Sequence, residues 1–177
     1  MNLRSIYLQV LLCSGVVLLL SLQSCSNSSV VKALPPNGTI SDDRELTARK
    51  AVVSFGRSQI GDSYKYAGNG PHTWDCSGLT SKAYESIGIT LPRSSGQMSR
   101  LSGEINLADA LPGDLIFFAR DGRVIHVSIV TEYRNGSLWV VHSTSSRGVI
   151  EEDVLASRYW KEKIFKVLSL KALSERL

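Results

Sequence analysis

Cysteine is scarce in this chain. There are three in 177 residues, Cys13, Cys25 and Cys76, and no two lie close together. Such spacing excludes a disulfide-dense scaffold and the repeated thiol pairs of a structural zinc site. Histidine is equally sparse, at His72, His126 and His142. A zinc site built from Cys76, His126 and His142 is chemically conceivable, but no short-spaced ligand pair supports it. Neither a metal nor a cofactor is expected. No apolar run reaches the ~20 residues that a spanning helix needs; Ile6–Leu20 falls short, and no acidic residue precedes Asp42. No internal repeat is visible, and the length suits one domain plus a short leader. With 43% hydrophobic and 20% charged residues, disorder is excluded. The net charge of +4 is too mild to point to a nucleic acid.

What is present begins with the leader. Arg4, then the short apolar stretch to Leu20, reads as an export signal. Leu22-Gln23-Ser24-Cys25 follows, resembling the lipobox of bacterial lipoproteins, although Gln23 is a less usual choice. That resemblance implies a signal over 1–24, cleavage before Cys25 and acylation of its thiol. More than one acyl chain is needed for stable anchoring. A plain signal peptide and an uncleaved anchor are the alternatives. Ser26 after the lipidated residue resembles outer-membrane sorting, facing the periplasm, if the host has two membranes. Residues 25–41, rich in Ser, Asn and Pro, read as a tether. The folded domain is expected over 42–177. Cys76 is then left without a disulfide partner in an exported chain, which makes it a reactive group or an accident.

Within the domain, Asp42 or Asp43 caps a helix expected to run to about Ile60. Asp42 and Glu45 have capping-box spacing, and Leu46, Ala48, Val52, Phe55 and Ile60 form an apolar stripe. Asp75 is placed to cap a second helix, from Cys76 to about Ile87, which Gly88 ends. A short third helical stretch is expected around Gln97–Leu101. The pattern then changes period. Asp114–Ala119, Arg123–Tyr133, Leu138–Ser143 and Ile164–Leu170 are β-branched or aromatic runs separated by glycine turns. Helices followed by an antiparallel meander define an α+β fold.

A nucleophilic cysteine needs a lowered pKa, a nearby base and a group that orients the base. Cys76 begins a helix, where unpaired N–H groups favour a thiolate; reactive cysteines so placed have pKa values of ~3.5–7.5. His126 lies in the apolar run Val124–Val130, where alternation puts Val124, His126, Ser128 and Val130 on one face. His142 ends the next run. Either histidine alone is an ordinary hydrogen-bonded strand residue; together, downstream of Cys76, they suggest a site. Their relation turns on register. A two-residue Asn135-Gly136 loop would pair His142 with Ile129 and set the histidines on opposite faces. A three-residue loop, Arg134–Gly136, would pair His142 with Ser128 and set them on one face, roughly 7–8 Å apart at the backbone. The second arrangement is expected.

Five segments carry a resemblance: Asp75-Cys76-Ser77-Gly78-Leu79, Gly88–Ser94 with its Leu91-Pro92-Arg93, Leu111–Phe118 with its Pro112-Gly113-Asp114, His126-Val127, and Val141-His142-Ser143. In this order they resemble the NlpC-type cell-wall peptidases, papain-like cysteine endopeptidases of bacterial peptidoglycan, over about Glu45–Val167. The resemblance implies N-terminal helices packed on a central antiparallel sheet, with Cys76 as nucleophile, His126 as base and His142 orienting it. Tyr64 would serve the oxyanion or the substrate, with the Cys76 N–H completing that hole. Asp75 and Ser77 would shape the cleft and contact the stem-peptide amine. Arg93 reads as structural as often as functional. The glycines after Tyr64 are displaced (Ala67-Gly68-Asn69-Gly70), and Ser128 stands where a smaller residue is usual. His72 is expected to line the cleft rather than act as base. The implied partners are peptidoglycan stem peptides and, through Cys25, a membrane; a monomer is expected. A non-hydrolytic wall-peptide binder and an acyltransferase of the same fold are the alternative classes.

Overall fold

The structure, a computed structural model, describes residues 42–175. The leader, the lipidation site at Cys25 and the tether lie outside the described residues. No helix among the described residues is long and apolar enough to cross a membrane.

Helix α1 (Asp42–Ser58) buries Ala48, Val52 and Val53 against the sheet. Leu46 and Ile60, expected on the same stripe, are about half exposed. The buried face runs instead through Arg49 and Gly56; a Cβ at Gly56 would lie 2.6 Å from Val141 Cγ1. Two two-residue strands follow, β1 (Ser63–Tyr64) and β2 (Thr73–Trp74), paired in parallel. Helix α2 (Cys76–Glu85) starts where the sequence predicts, and Asp75 caps it by accepting the Gly78 N–H at 2.6 Å. Leu79, Ala83 and Tyr84 are fully buried beneath it. A one-turn helix, α3 (Ser95–Met98), lies slightly before its expected position.

Six strands form the main sheet in the order β3-β8-β4-β5-β6-β7, every neighbour antiparallel. They are β3 (Glu104–Ile105), β4 (Leu115–Arg120), β5 (Arg123–Arg134), β6 (Ser137–Thr144), β7 (Gly148–Asp153) and β8 (Ile164–Leu168). Alternation divides the core. Leu115, Phe117, Val127, Ile129 and Val141 pack with α1 and α2 on one face. Ile116, Phe118, Val130, Val140 and Trp160 pack on the other. Trp160 belongs to the one-turn helix α4 (Arg158–Lys161). The last expected strand stops at Leu168, because Leu170 opens helix α5 (Leu170–Ser174).

One ion pair locks the helices to the sheet. Arg49 Nη1 donates to Asp114 Oδ1 at 2.6 Å and to the Pro112 carbonyl at 2.9 Å. Asp114, fully buried, also accepts the N–H groups of Leu170 at 2.9 Å and Leu111 at 2.8 Å. Tyr84 Oη donates to the Gly113 carbonyl at 2.6 Å. The Pro112-Gly113-Asp114 motif is thus a fastening for α1, α2 and α5.

The β5–β6 hairpin corrects the expected loop while keeping the expected pairing. Its loop has two residues: Arg134 pairs with Ser137, and Asn135 and Gly136 both have positive φ, 52° and 79°. Alone, this would turn His142 away from His126. A β-bulge intervenes, with Thr131 inserted between the pairs Val130–Val140 and Glu132–Trp139. Beyond it Ile129 faces Val141, which carries His142 to Ser128 and onto the His126 face.

Candidate active site

A cleft of about 440 Å³ is lined by Tyr64 and Cys76 together with Ile125, His126, Ser143–Arg147, Ser157, Tyr159 and Trp160. It brings the start of α2 beside the β5 and β6 strands and α4. His126 Nε2 lies 3.0 Å from His142 Nδ1, and Ser128 Oγ lies 3.1 Å from the same nitrogen. With Nε2 engaged by His142, Nδ1 is the ring nitrogen of His126 left for the cleft. Both imidazoles are buried, at 7% and 1% exposure.

Electrostatics at the cleft differ from the expectation for Cys76. Burial pushes its thiol up; the N–H groups of Val127, Ser77 and Cys76 pull the other way without reversing it, and Asp75 adds to the rise. A helix start alone therefore does not yield a thiolate here. Burial, reinforced by His142, pushes His126 well below the ordinary imidazole value. Both shifts favour the uncharged forms, thiol and neutral imidazole, and no hydrogen bond among the described residues joins Cys76 to His126. Tyr64 is likewise held above its ordinary value by burial and by the neighbouring Cys76 and Asp75.

Asp75 and Ser77 sit in a clamp made by Arg93. Nη2 of Arg93 bonds Asp75 Oδ2 at 2.7 Å and the Gly68 carbonyl at 3.1 Å; Nη1 bonds Ser77 Oγ at 2.9 Å. Burial alone would raise the Asp75 carboxyl, but Arg93 and the Gly78 N–H together hold it below its ordinary range. The clamp draws the Gly68 loop against α2 so closely that a Cβ on Gly78 would lie 2.0 Å from the Gly68 oxygen. His72 is not brought to the cleft: its side chain is 86% exposed and lies 3.4 Å from Asp62.

Two residues at the site escape the sequence reading. Glu152 of β7 lies with Oε1 3.0 Å from His142 Nε2 and accepts Trp160 Nε1–H at 2.9 Å and Arg147 Nη2–H at 2.6 Å. The hydrogen bond from His142, aided by those from Arg147 and Trp160, outweighs burial and holds the carboxyl at about 2. The indole of Trp160 stacks on His126, centroids 4.6 Å apart and planes 26° apart. An alternation test skips β7, because Gly-Val-Ile-Glu-Glu-Asp ends in three acids. Among the described residues, no group of three or more His, Cys, Asp or Glu side chains is arranged to hold a metal ion.

A capped helix start facing an antiparallel sheet, with a thiol and an imidazole in one cleft, defines a papain-like α+β protein. Residues 61–169 match the NlpC/P60 family, and the chain belongs to it. It is 34% identical over 132 residues to a gamma-D-glutamyl-L-lysine dipeptidyl-peptidase of Bacillus cereus, covering 67% of this chain and 38% of that protein. A probable endopeptidase p60 of Listeria seeligeri is 40% identical over 78 residues, 44% of this chain and 15% of that one. The fold is also similar to the crystal structure of an NlpC/P60 family protein from Bacillus cereus, with TM-score 0.62, 32% identity and coverage of 68% and 39%. The chain spans well under half the length of these relatives.

Proposed function

We propose that this protein is a peptidoglycan endopeptidase that cuts a stem-peptide amide with a Cys76–His126–His142 triad. The observation that carries this reading is the common cleft of Tyr64, Cys76 and His126, backed by the 3.0 Å contact between the two imidazoles. With burial favouring the uncharged thiol and imidazole, the Cys76 proton passes to His126 Nδ1 as Sγ attacks the scissile carbonyl carbon. The Cys76 N–H and Tyr64 receive the developing oxyanion. Collapse breaks the C–N bond, and the imidazolium returns its proton to the departing amine. Water then attacks the thioester, again through His126, releasing a carboxylic acid and the free thiol.

The bond we assign is that between D-γ-glutamate and a diamino acid, or a cross-link between diamino acids. The Bacillus cereus relative, a gamma-D-glutamyl-L-lysine dipeptidyl-peptidase, supports the first. Asp75 and Ser77, fixed by Arg93 beside the nucleophile, are suited to a stem-peptide amine. The resemblance of Leu22–Cys25 to a lipobox supports a membrane-anchored enzyme facing the wall; Cys25→Ser is expected to release the chain from the membrane fraction.

The direct test is mass spectrometry of defined muropeptides digested by the purified full chain. Cleavage at one stem-peptide amide is expected, and Cys76→Ala is expected to abolish it while leaving the circular dichroism spectrum unchanged. Undiminished cleavage by that variant would reject the assignment, and binding without cleavage by the parent would leave a wall-peptide binder.

A further inference from the structure

We infer that Glu152 is a positioning residue that sets the direction of the His126–His142 proton chain, with Arg147 balancing its charge. The inference rests on the triad reading above. Glu152 Oε1 meets three nitrogens, Nε2 of His142, Nη2 of Arg147 and Nε1 of Trp160, at 3.0, 2.6 and 2.9 Å. Arginine and indole nitrogens only donate, so this oxygen is an acceptor. His142 Nε2 must then carry its hydrogen. In a neutral ring that leaves Nδ1 bare, facing His126 Nε2 at 3.0 Å. The Ser128 hydroxyl, 3.1 Å away, can also donate to that nitrogen, but a bare His126 Nε2 would face it lone pair to lone pair, so His126 carries its hydrogen on Nε2 and its Nδ1 is left as a lone pair. One carboxylate oxygen on β7 thus dictates, through two rings, that the base is unprotonated on the nitrogen that needs to be.

The alternative state shows why Arg147 matters. Were His142 an imidazolium, its Nδ1–H would donate to His126 Nε2, and His126 would hold its hydrogen on Nδ1, the wrong side for a base. A lone carboxylate beside His142 favours that imidazolium. Arg147, on the same carboxylate oxygen, opposes it. Glu152 therefore supplies an acceptor without enough net charge to protonate the ring. Trp160 completes the arrangement, since its indole N–H fixes Glu152 while its ring face rests on His126. Ser128 Oγ lies against His142 Nδ1, and the other ionisable groups lining the cleft with His126 are Cys76, Tyr64 and Tyr159, with Asp75 near Cys76. None of these lies against His142 Nε2.

The test reads proton positions as well as rate. In the purified full chain labelled with nitrogen-15 histidine, two-bond correlation spectra report the tautomer of each of the three imidazoles. The parent chain is expected to hold His126 and His142 both as Nε2–H. Glu152→Ala is expected to populate Nδ1–H in both and to lower kcat on a muropeptide ~10–100-fold with little change in KM, as loss of an orienting partner does. Glu152→Gln, which keeps an acceptor oxygen but can also donate, is expected to fall between. Arg147→Ala is expected to move the acid limb of the pH–rate profile upward and to recover at alkaline pH. Unchanged tautomers in Glu152→Ala would overturn the inference, including where its rate falls. The spectra can also be recorded in Cys76→Ala. A failure of the peptidase reading, seen as an inactive parent, is therefore distinguishable from a failure of the proton-chain reading.

Discussion

Asp114 and Glu152 are two carboxylates of the same sheet, one at the head of the interior strand β4 and one on the edge strand β7, and they do different work. Asp114 is wholly buried; its two oxygens take an arginine and two backbone N–H groups contributed by three separate segments. Glu152 is partly exposed on the edge strand, and a single oxygen takes three side chains, one of them a titratable ring. A carboxylate that meets fixed backbone donors closes a fold. One that meets a histidine adjusts a proton.

The strongest way to break the comparison is Asp114→Ala. It leaves Arg49 with Glu45 as its one carboxylate and unpairs the N–H groups of Leu170 and Leu111, and loss of one partner of a buried pair costs ~3–5 kcal/mol. Denaturant unfolding is expected to show that loss, with little change in kcat per folded molecule. His126→Ala inverts the pattern: kcat/KM falls ~10²–10⁴-fold, as removal of a general base does, while the unfolding midpoint moves little. Equal effects of the two variants on both measurements would dissolve the distinction.

Acid sharpens it further. His126 and His142 have folded pKa values below the ordinary 6.5, so the unfolded chain takes up protons first as pH falls through that value. The stability present at neutral pH therefore starts to be lost below about 6.5. Glu152, at about 2 when folded against 4.5 unfolded, contributes above 4.5, and its contribution is lost as pH falls toward about 2. Thermal melts from about pH 8 to about 3 are expected to descend in that order, and Glu152→Gln is expected to flatten the lower part. The smallest effect is expected at Gly136, which has φ of +79° and nothing within 4 Å of a built Cβ. Gly136→Ala should cost about 1 kcal/mol in a melt, from backbone strain alone, and leave cleavage unchanged.

Local rules made part of this legible in the sequence. An aspartate before a helix start caps it wherever the helix sits, so Asp75 and Cys76 were readable. Period-two alternation placed His126 and Ser128 on one face. The rest depends on contacts distant in sequence. Thr131 is β-branched and continues the strand pattern, so nothing local marks it as a bulge. Glu152 follows another acid and precedes a third, a run that resembles a solvated edge until His142 is laid beside it. Arg93 was visible in its motif, but its three partners come from two other segments. The direction of the Cys76 shift depends on how deeply α2 is packed, which a helix start does not record.

The bulge at Thr131 makes the hairpin a parity device. Which face carries His142 depends on how the residues between it and His126 are shared between bulge and loop: at this length, a bulge with a two-residue loop and a regular strand with a three-residue loop give the same pairing. Deleting Thr131 should remove the bulge and leave every pair, His142 with Ser128 included, in place, whereas restoring regular pairing at Thr131 without a change in length or loop should part the histidines. At this length a hairpin without the bulge is therefore expected to carry a three-residue loop, and one a residue shorter to keep the two-residue loop and dispense with the bulge.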